Sequence, residues 1–188
     1  MPSDPAIELG VSGRFWIGKH KTMKNFDMVI KTLKSAKSEI RITTYSLGML
    51  RKGNELDKIF QILIDKSNSG VPVQIIVNRL EAQLKGGRNK PVREKMKVLK
   101  SMPDATVLSF RPSDKRDTSD LHAKIFTVDG ETAILGSANL SFSGMFDNHE
   151  IMVKISGKKF VAQINQLIDE LAESILAQDK RRKKRGGA

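Results

Sequence analysis

The sequence predicts an α/β fold: a mixed, mostly parallel β-sheet flanked by helices on both faces. Three observations carry this. Residues 39–80 read as strand, helix, strand, a βαβ unit that is right-handed by default. The second of those strands, "VPVQIIVNRL", is almost continuously apolar, as expected in a sheet covered on both sides. Asp129-Gly130 between two apolar runs is a hairpin signal, which adds antiparallel pairing.

Taken in order, the first ~20 residues contain Pro2, Pro5, Gly10, Gly13 and Gly18 without sustained periodicity and read as a loose lead-in. From Met23, Phe26, Val29, Ile30 and Leu33 recur at helical spacing. "EIRITTYSL" (39–47) is short and β-branched, hence a strand. In the next helix Asn54 is a candidate cap, Leu56, Ile59, Phe60, Leu63 and Ile64 share one face, and Gly70 is the stop. After the 71–80 strand comes a basic loop, then a helix following Pro91 with Met96 and Leu99, a strand "ATVLSF" and a polar loop. One strand is expected from Leu121 to the Asp129-Gly130 turn, another from Thr132 to about Ser137, and a third over 150–155. The last helix is expected to bury Phe160, Ile164, Leu167, Ile168, Leu171 and Ile175 and then fray. No internal repeat is visible. The expected organisation is a lead-in (1–21), one catalytic domain (22–179) and a basic tail (180–188).

Composition narrows the function. A chain of 188 residues suits one domain with a sizeable core. Cysteine is absent, which excludes disulfides and thiolate metal sites and is compatible with a reducing interior. No apolar run approaches the ~20 residues of a membrane span. "MPSDPAIELG" lacks the basic-then-apolar pattern of a secretory signal, so the expected location is cytoplasmic. Net charge is +12, and although Lys180 to Arg185 supply six of the positive charges, the remainder is still basic. Such a surface favours polyanions, nucleic acid or anionic lipid; a lysine-rich protein without such a partner is the bland alternative.

The chemistry concentrates in 121–150. Alternation puts His122 and Lys124 on one strand face, about 7 Å apart at ~3.4 Å per residue. Across the hairpin, Ser137 and Asn139 share a face and converge on the same point. An imidazole, an ammonium, a hydroxyl and an amide together are poor core chemistry, because each needs a buried partner. They suit phosphate: three donors surround an anion while the imidazole attacks or transfers a proton.

His122-x-Lys124, Asp129 after four residues, then Gly136-Ser137-x-Asn139 after six more, resembles the phospholipase D superfamily motif at every defined position. The surrounding layout, including "ITTYSL" and "NHEIMV", is similar to that superfamily's small single-motif nucleases over roughly residues 22–156. The resemblance implies a phospholipase D-like fold and specific roles. His122 is the nucleophile, forming a phosphohistidine that water hydrolyses. Lys124 and Asn139 hold the non-bridging phosphate oxygens, and Ser137 adds a hydrogen bond. Glu150 accepts from the other imidazole nitrogen. Asp129 braces backbone or a basic side chain, and Gly136 permits close backbone approach. No carboxylate or histidine cluster suggests a metal cage, so no metal or other cofactor is expected. Because the superfamily's chemistry uses two histidines and this chain has one motif, a two-fold homodimer with one shared active site is expected.

His20 lacks the motif's spacing and is read as a solvated or loosely phosphate-touching residue, and His149, pointed to the opposite face, as non-catalytic; Trp16 is read as an anchor rather than a base-stacking platform. Tyr45, Lys85, Arg88 and Lys90 are candidate nucleic-acid contacts, against the plainer reading of packing and solvated charge. No specific task is assigned to the tail. The leading function is a nuclease, with DNA favoured, either alone or as the nuclease subunit of a restriction or defence system whose recognition or motor partner supplies sequence choice. A phospholipid-directed phosphodiesterase and a non-catalytic nucleic-acid-binding module are the alternatives.

Overall fold

The computed structural model describes residues 6–17, 22–48, 55–85, 90–112 and 118–186. Its strands are β1 (Ala6–Val11), β2 (Met23–Lys24), β3 (Ile40–Thr44), β4 (Val73–Asn78), β5 (Ala105–Phe110), β6 (Ile125–Val128), β7 (Thr132–Gly136) and β8 (Ile151–Ser156). The helices are α1 (Asn25–Ser35), α2 (Leu56–Asn68), α3 (Leu80–Gln83), α4 (Lys90–Lys100) and α5 (Lys158–Gly186). All eight strands join one sheet in the order β2-β1-β8-β7-β6-β3-β4-β5.

The sheet is mixed, with helices on both faces, but it is not mostly parallel. Only β1–β2, β3–β4 and β4–β5 pair in parallel; β1–β8, β3–β6, β6–β7 and β7–β8 are antiparallel. The reason lies in the connections. Helix α2 returns the chain for a parallel neighbour, whereas Asp129 and Gly130, with φ of 56° and 64°, make a tight turn that forces β7 back along β6.

On one face, α1, α2 and α4 bury Val29, Leu33, Ile59, Phe60, Leu63, Met96 and Leu99 against Ile42, Ile75, Phe126, Ile134 and Met152. On the other, Val161, Ile164, Ile168, Ala172 and Ile175 of α5 cover Ile76, Leu108 and Ala133. This rotates α5 from its expected face. Phe160 and Leu167 are exposed, and Leu171 is only partly buried. The 160-164-167-171 and 161-164-168-172 stripes both fit helical spacing and share Ile164, and the sheet takes the second.

Two further expectations change. The lead-in is not loose throughout: Ala6–Val11 is a strand paired along its length with β8. Its alternating Ile7, Leu9 and Val11 were the available signal. The last helix does not fray at the basic run but continues to Gly186, in keeping with the good helix propensity of Lys and Arg. The proposed cap Asn54 lies outside the described residues.

Candidate active site

The segments leaving β3 and β7 and entering β6 and β8 meet at one edge of the sheet. There His122, Lys124, Gly136, Ser137, Asn139 and Glu150 line an open cavity of about 460 Å³. Residues far apart in sequence reach this point because β6, β7 and β8 are consecutive antiparallel neighbours and β3 lies beside β6.

His122 is not in a regular strand, contrary to expectation; β6 begins three residues later. The backbone before it bonds a side chain instead of a neighbouring strand. Buried Asn78, the last residue of β4, accepts from Leu121 N at 3.1 Å and donates to the Asp120 carboxylate at 3.1 Å. Arg79 Nε donates to the same carboxylate oxygen at 2.8 Å. Gln83 then ties the Asn78 carbonyl to Tyr45 O and accepts from Leu47 N at 2.9 Å.

His122 is exposed, whereas Lys124 is 6% exposed. The Lys124 ammonium meets both imidazole nitrogens, at 2.8 and 3.1 Å, and donates to the His122 carbonyl. Burial pushes the lysine's pKa down, partly opposed by the negative charge of Glu150. The Tyr45 ring lies 4.9 Å from the imidazole and 5.6 Å from the ammonium, so both an aromatic and a cation–π contact frame the pair.

Asn139 accepts from Ser46 N at 3.2 Å through Oδ1, which directs its NH₂ donors elsewhere. The next residue is anchored by Leu140 N donating to buried Thr44 Oγ1 at 3.1 Å. Ser137, an exposed lining residue of the cavity, also has a structural task. Its hydroxyl accepts from Ile151 N at 3.2 Å and its N–H donates to Ile151 O at 3.1 Å, fastening β7 to β8 beside Glu150. Gly136 has a steric reason: a Cβ there would collide with the Ile151 carbonyl oxygen and the Met152 backbone.

Glu150 also differs. Among the described residues it makes no hydrogen bond to His122; Oε1 instead accepts from Asn148 Nδ2 at 3.3 Å. The Lys124 ammonium stands against both imidazole nitrogens, and the charge of Glu150 reaches that ammonium. Its backbone carbonyl accepts from Ser12 N at 3.0 Å and Asn25 Nδ2 at 3.2 Å. Ser12 and Asn25 are fully buried, and Ser12 Oγ donates to the Gly144 and Asn148 carbonyls. Sequence reasoning missed this network and Asn78; a polar residue ending an apolar strand was the one signal available.

Asp129 lies at the far end of β6. Its carboxylate accepts from the backbone N–H groups of Lys37, Ser38 and Glu39 at 2.7 to 3.1 Å and from Ser38 Oγ at 3.0 Å. Burial pushes its pKa up, but these bonds outweigh it and hold the carboxyl below the usual range. His149 contacts Phe15 and Trp16 edge-on and is not a lining residue of the cavity. Lys85 lines a separate concavity, Lys90 opens α4 on the surface, and Arg88 and His20 lie outside the described residues. No cluster of three or more His, Asp or Glu is placed to hold a metal ion among the described residues.

Comparison with known proteins gives a consistent family signal. A family model described as the cardiolipin synthase, PLD-like domain matches residues 29–172. The DISARM protein DrmC of Bacillus paralicheniformis is 27% identical over 151 residues, covering 78% of this chain. The chain spans about 55% of that relative's length. Among solved structures, the phospholipase D family member Nuc from Salmonella typhimurium superposes with a TM-score of 0.66 at 19% identity, over 90% of this chain and 95% of Nuc. NucT from Helicobacter pylori gives 0.65 at 16%, over 90% and 98%. At these identities the two structures speak for the fold.

Proposed function

The chain belongs to the PLD-like domain family, and from that premise we propose that it hydrolyses phosphodiester bonds of nucleic acid, DNA above all, through a phosphohistidine intermediate and without a metal ion. The observation that carries this reading is the convergence of His122, Lys124, Asn139 and Glu150 on one open cavity. A lone pair of His122 attacks phosphorus, a P–N bond forms, and the leaving oxygen departs with a proton from a general acid. Water then attacks phosphorus, the P–N bond breaks and His122 is regenerated. Lys124 and the Asn139 amide bind the non-bridging oxygens where charge accumulates. Glu150 supports the Lys124 charge, and Ser137 and Gly136 hold β7 against β8. Tyr45 flanks the substrate at the cavity mouth.

The general acid is the second His122 of a two-fold homodimer. Supporting this, β1 and β8 present an exposed apolar stripe that starts at the site and runs away from it: Ile151, directly after Glu150, is 44% exposed, and Leu9 and Ile7, opposite Val153 and Ile155, are 46% and 65% exposed. The named DISARM relative favours a place in a restriction or defence assembly, with a recognition or motor partner supplying sequence choice.

The deciding experiment incubates the protein with labelled single- and double-stranded DNA, RNA and cardiolipin vesicles, with and without EDTA. Cleavage of DNA that survives EDTA is expected. Headgroup release from vesicles with intact nucleic acid would replace this reading by the phospholipid-directed one, which the matching family's description also brings forward. Binding without any cleavage would leave a nucleic-acid-binding module.

A further inference from the structure

The edge of the sheet that holds the cavity does not end at β3. Strands β4 and β5 run parallel to β3, so their C-terminal ends lie along the same edge. Arg79 follows β4 and Arg111 follows β5, joined by Arg79 N donating to Phe110 O at 2.8 Å. With Lys85 they line a second concavity of about 390 Å³. It adjoins the first: Arg79 is paired with Asp120, two residues before His122. At ~4.8 Å per strand, β5 is about 10 Å from β3.

Charge in this concavity is nearly balanced, because Glu81 pairs with Arg111 and Asp120 with Arg79. The pairs hold the guanidiniums in place, and each guanidinium has five N–H donors, more than these contacts use. The surplus of charge arrives from elsewhere. Helix α5 crosses the sheet face and delivers Lys180, Arg181, Arg182 and Lys184 to this same edge, where Arg182 Nη2 donates to Pro112 O at 3.2 Å. Arg181, Arg182 and Lys184 are exposed, and among the described residues the acid in contact with them is Asp179, 4.0 Å from Arg182.

We infer that a nucleic-acid backbone leaving the His122 cavity runs over the ends of β4 and β5, past Arg79, Lys85 and Arg111, to the basic last turns of α5. This rests on the phosphodiesterase reading and adds the path of the substrate. Guanidinium pairs suit phosphate oxygens. A series of cations spread along the sheet edge from β4 to the end of α5, with Arg79, Arg111 and Arg182 held by contacts, suits a linear polyanion better than a single small phosphate.

The test separates path from chemistry. Binding is measured on the full-length His122→Ala protein with fluorescent 20-base-pair DNA, the matching single strands of DNA and RNA, and cardiolipin vesicles, over a salt series. Two sets are compared: Arg181→Gln/Arg182→Gln/Lys184→Gln in α5, and Lys85→Gln/Arg111→Gln at the concavity. Each is expected to weaken duplex binding roughly tenfold at 0.1 M salt and to lower the salt slope by about 0.9 per lost phosphate contact. The same substitutions in the active protein are expected to leave hydrolysis of bis(p-nitrophenyl) phosphate, too short to reach the track, unchanged. Unaltered slopes in either set overturn the path, as does a loss confined to vesicles. Failure of the wild type to cleave the small diester or DNA would defeat the phosphodiesterase reading, while the slopes would still decide the track. Circular dichroism of each variant excludes unfolding as the cause.

Discussion

The ammonium of Lys124 stands 2.8 Å from Nδ1 of His122 and 3.1 Å from Nε2, with the Tyr45 ring against both side chains. An ammonium has only protons to give, so an imidazole nitrogen it bonds must offer a lone pair. That lone pair is what an attack on phosphorus needs. On the proposed mechanism, a phosphate entering the cavity would compete for the ammonium and free the imidazole as it binds.

Replacing His122 by Ala is therefore expected to reduce cleavage by roughly 10⁴-fold or more, as for loss of other covalent nucleophiles. DNA affinity and thermal stability should hold, since His122 is exposed and the basic surface supplies binding separately. Turnover near that of the wild type would remove His122 from the nucleophile role.

Lys124→Ala and Asn139→Ala are each expected to lower kcat by roughly 100-fold or more, the usual consequence of losing a donor to developing negative charge. Wild-type activity should persist in EDTA. Complete loss in EDTA, restored by Mg²⁺, would end the metal-free mechanism.

The pH profile follows from the lysine. Burial lowers its pKa below the ordinary 10.5 and Glu150 partly restores it. The alkaline limb of kcat/KM should fall below that of an ordinary lysine, and Glu150→Gln should move it lower still. A limb that Glu150→Gln leaves in place would show that the two charges are not coupled. For stability the sign is opposite to that of a stabilised lysine. Between the lowered pKa and 10.5 the unfolded chain binds more protons, so stability rises with pH across that window.

Asp129 tests structure without chemistry. Its depressed pKa means its contribution is present above the unfolded value of ~3.9 and is lost as pH falls through the folded one. Asp129→Ala should cost about 1–2 kcal/mol at neutral pH, discounted for its partial exposure, and should narrow the acid range of stability. Activity per folded molecule should be unchanged, because Asp129 sits at the opposite end of β6 from Lys124. A normal Tm with reduced kcat would contradict this division.

Local periodicity made most of the fold legible: the faces of α1, α2 and α4, strand β5 and the Asp129-Gly130 hairpin all follow from patterns a few residues long. The motif likewise named His122, Lys124, Ser137 and Asn139, which line one cavity although all four lie just outside the regular strands β6 and β7, so spacing and not strict alternation was the usable signal. What stayed hidden depends on distant contacts. The face of α5 was ambiguous because two stripes share Ile164, and only the sheet chooses between them. Strand β1 was overlooked because its partner, β8, lies some 140 residues on. Asn78 beneath Leu121, and Ser12 with Asn25 behind Glu150, are ordinary polar residues until folding buries them. That Glu150 bonds Asn148 while Lys124 meets the imidazole is equally set by tertiary packing.

The shared-site dimer makes the most quantitative prediction. In the proposed mechanism one His122 would attack phosphorus, and a second group would have to protonate the leaving oxygen, then serve as base when water attacks. Within one chain, His149 is held by Phe15 and Trp16 away from the cavity lining. A two-fold axis beside His122 would bring its own copy into place, since an isologous interface sets a residue near the axis against itself. Exposed Ile151 next to Glu150, with Leu9 and Ile7 farther along the same sheet face, gives such an interface apolar area that begins at the site. Wild-type chains co-refolded with an equal amount of His122→Ala chains should then pair at random. Only wild-type pairs would be active, and activity per total dimer should fall to about one quarter. About one half would mean that each subunit works with its own acid. A fully active monomer at the assay concentration, seen by sedimentation, would defeat the shared site outright. Leu9→Glu supplies the converse: it should shift the chain toward monomer and remove activity together, with the secondary structure retained.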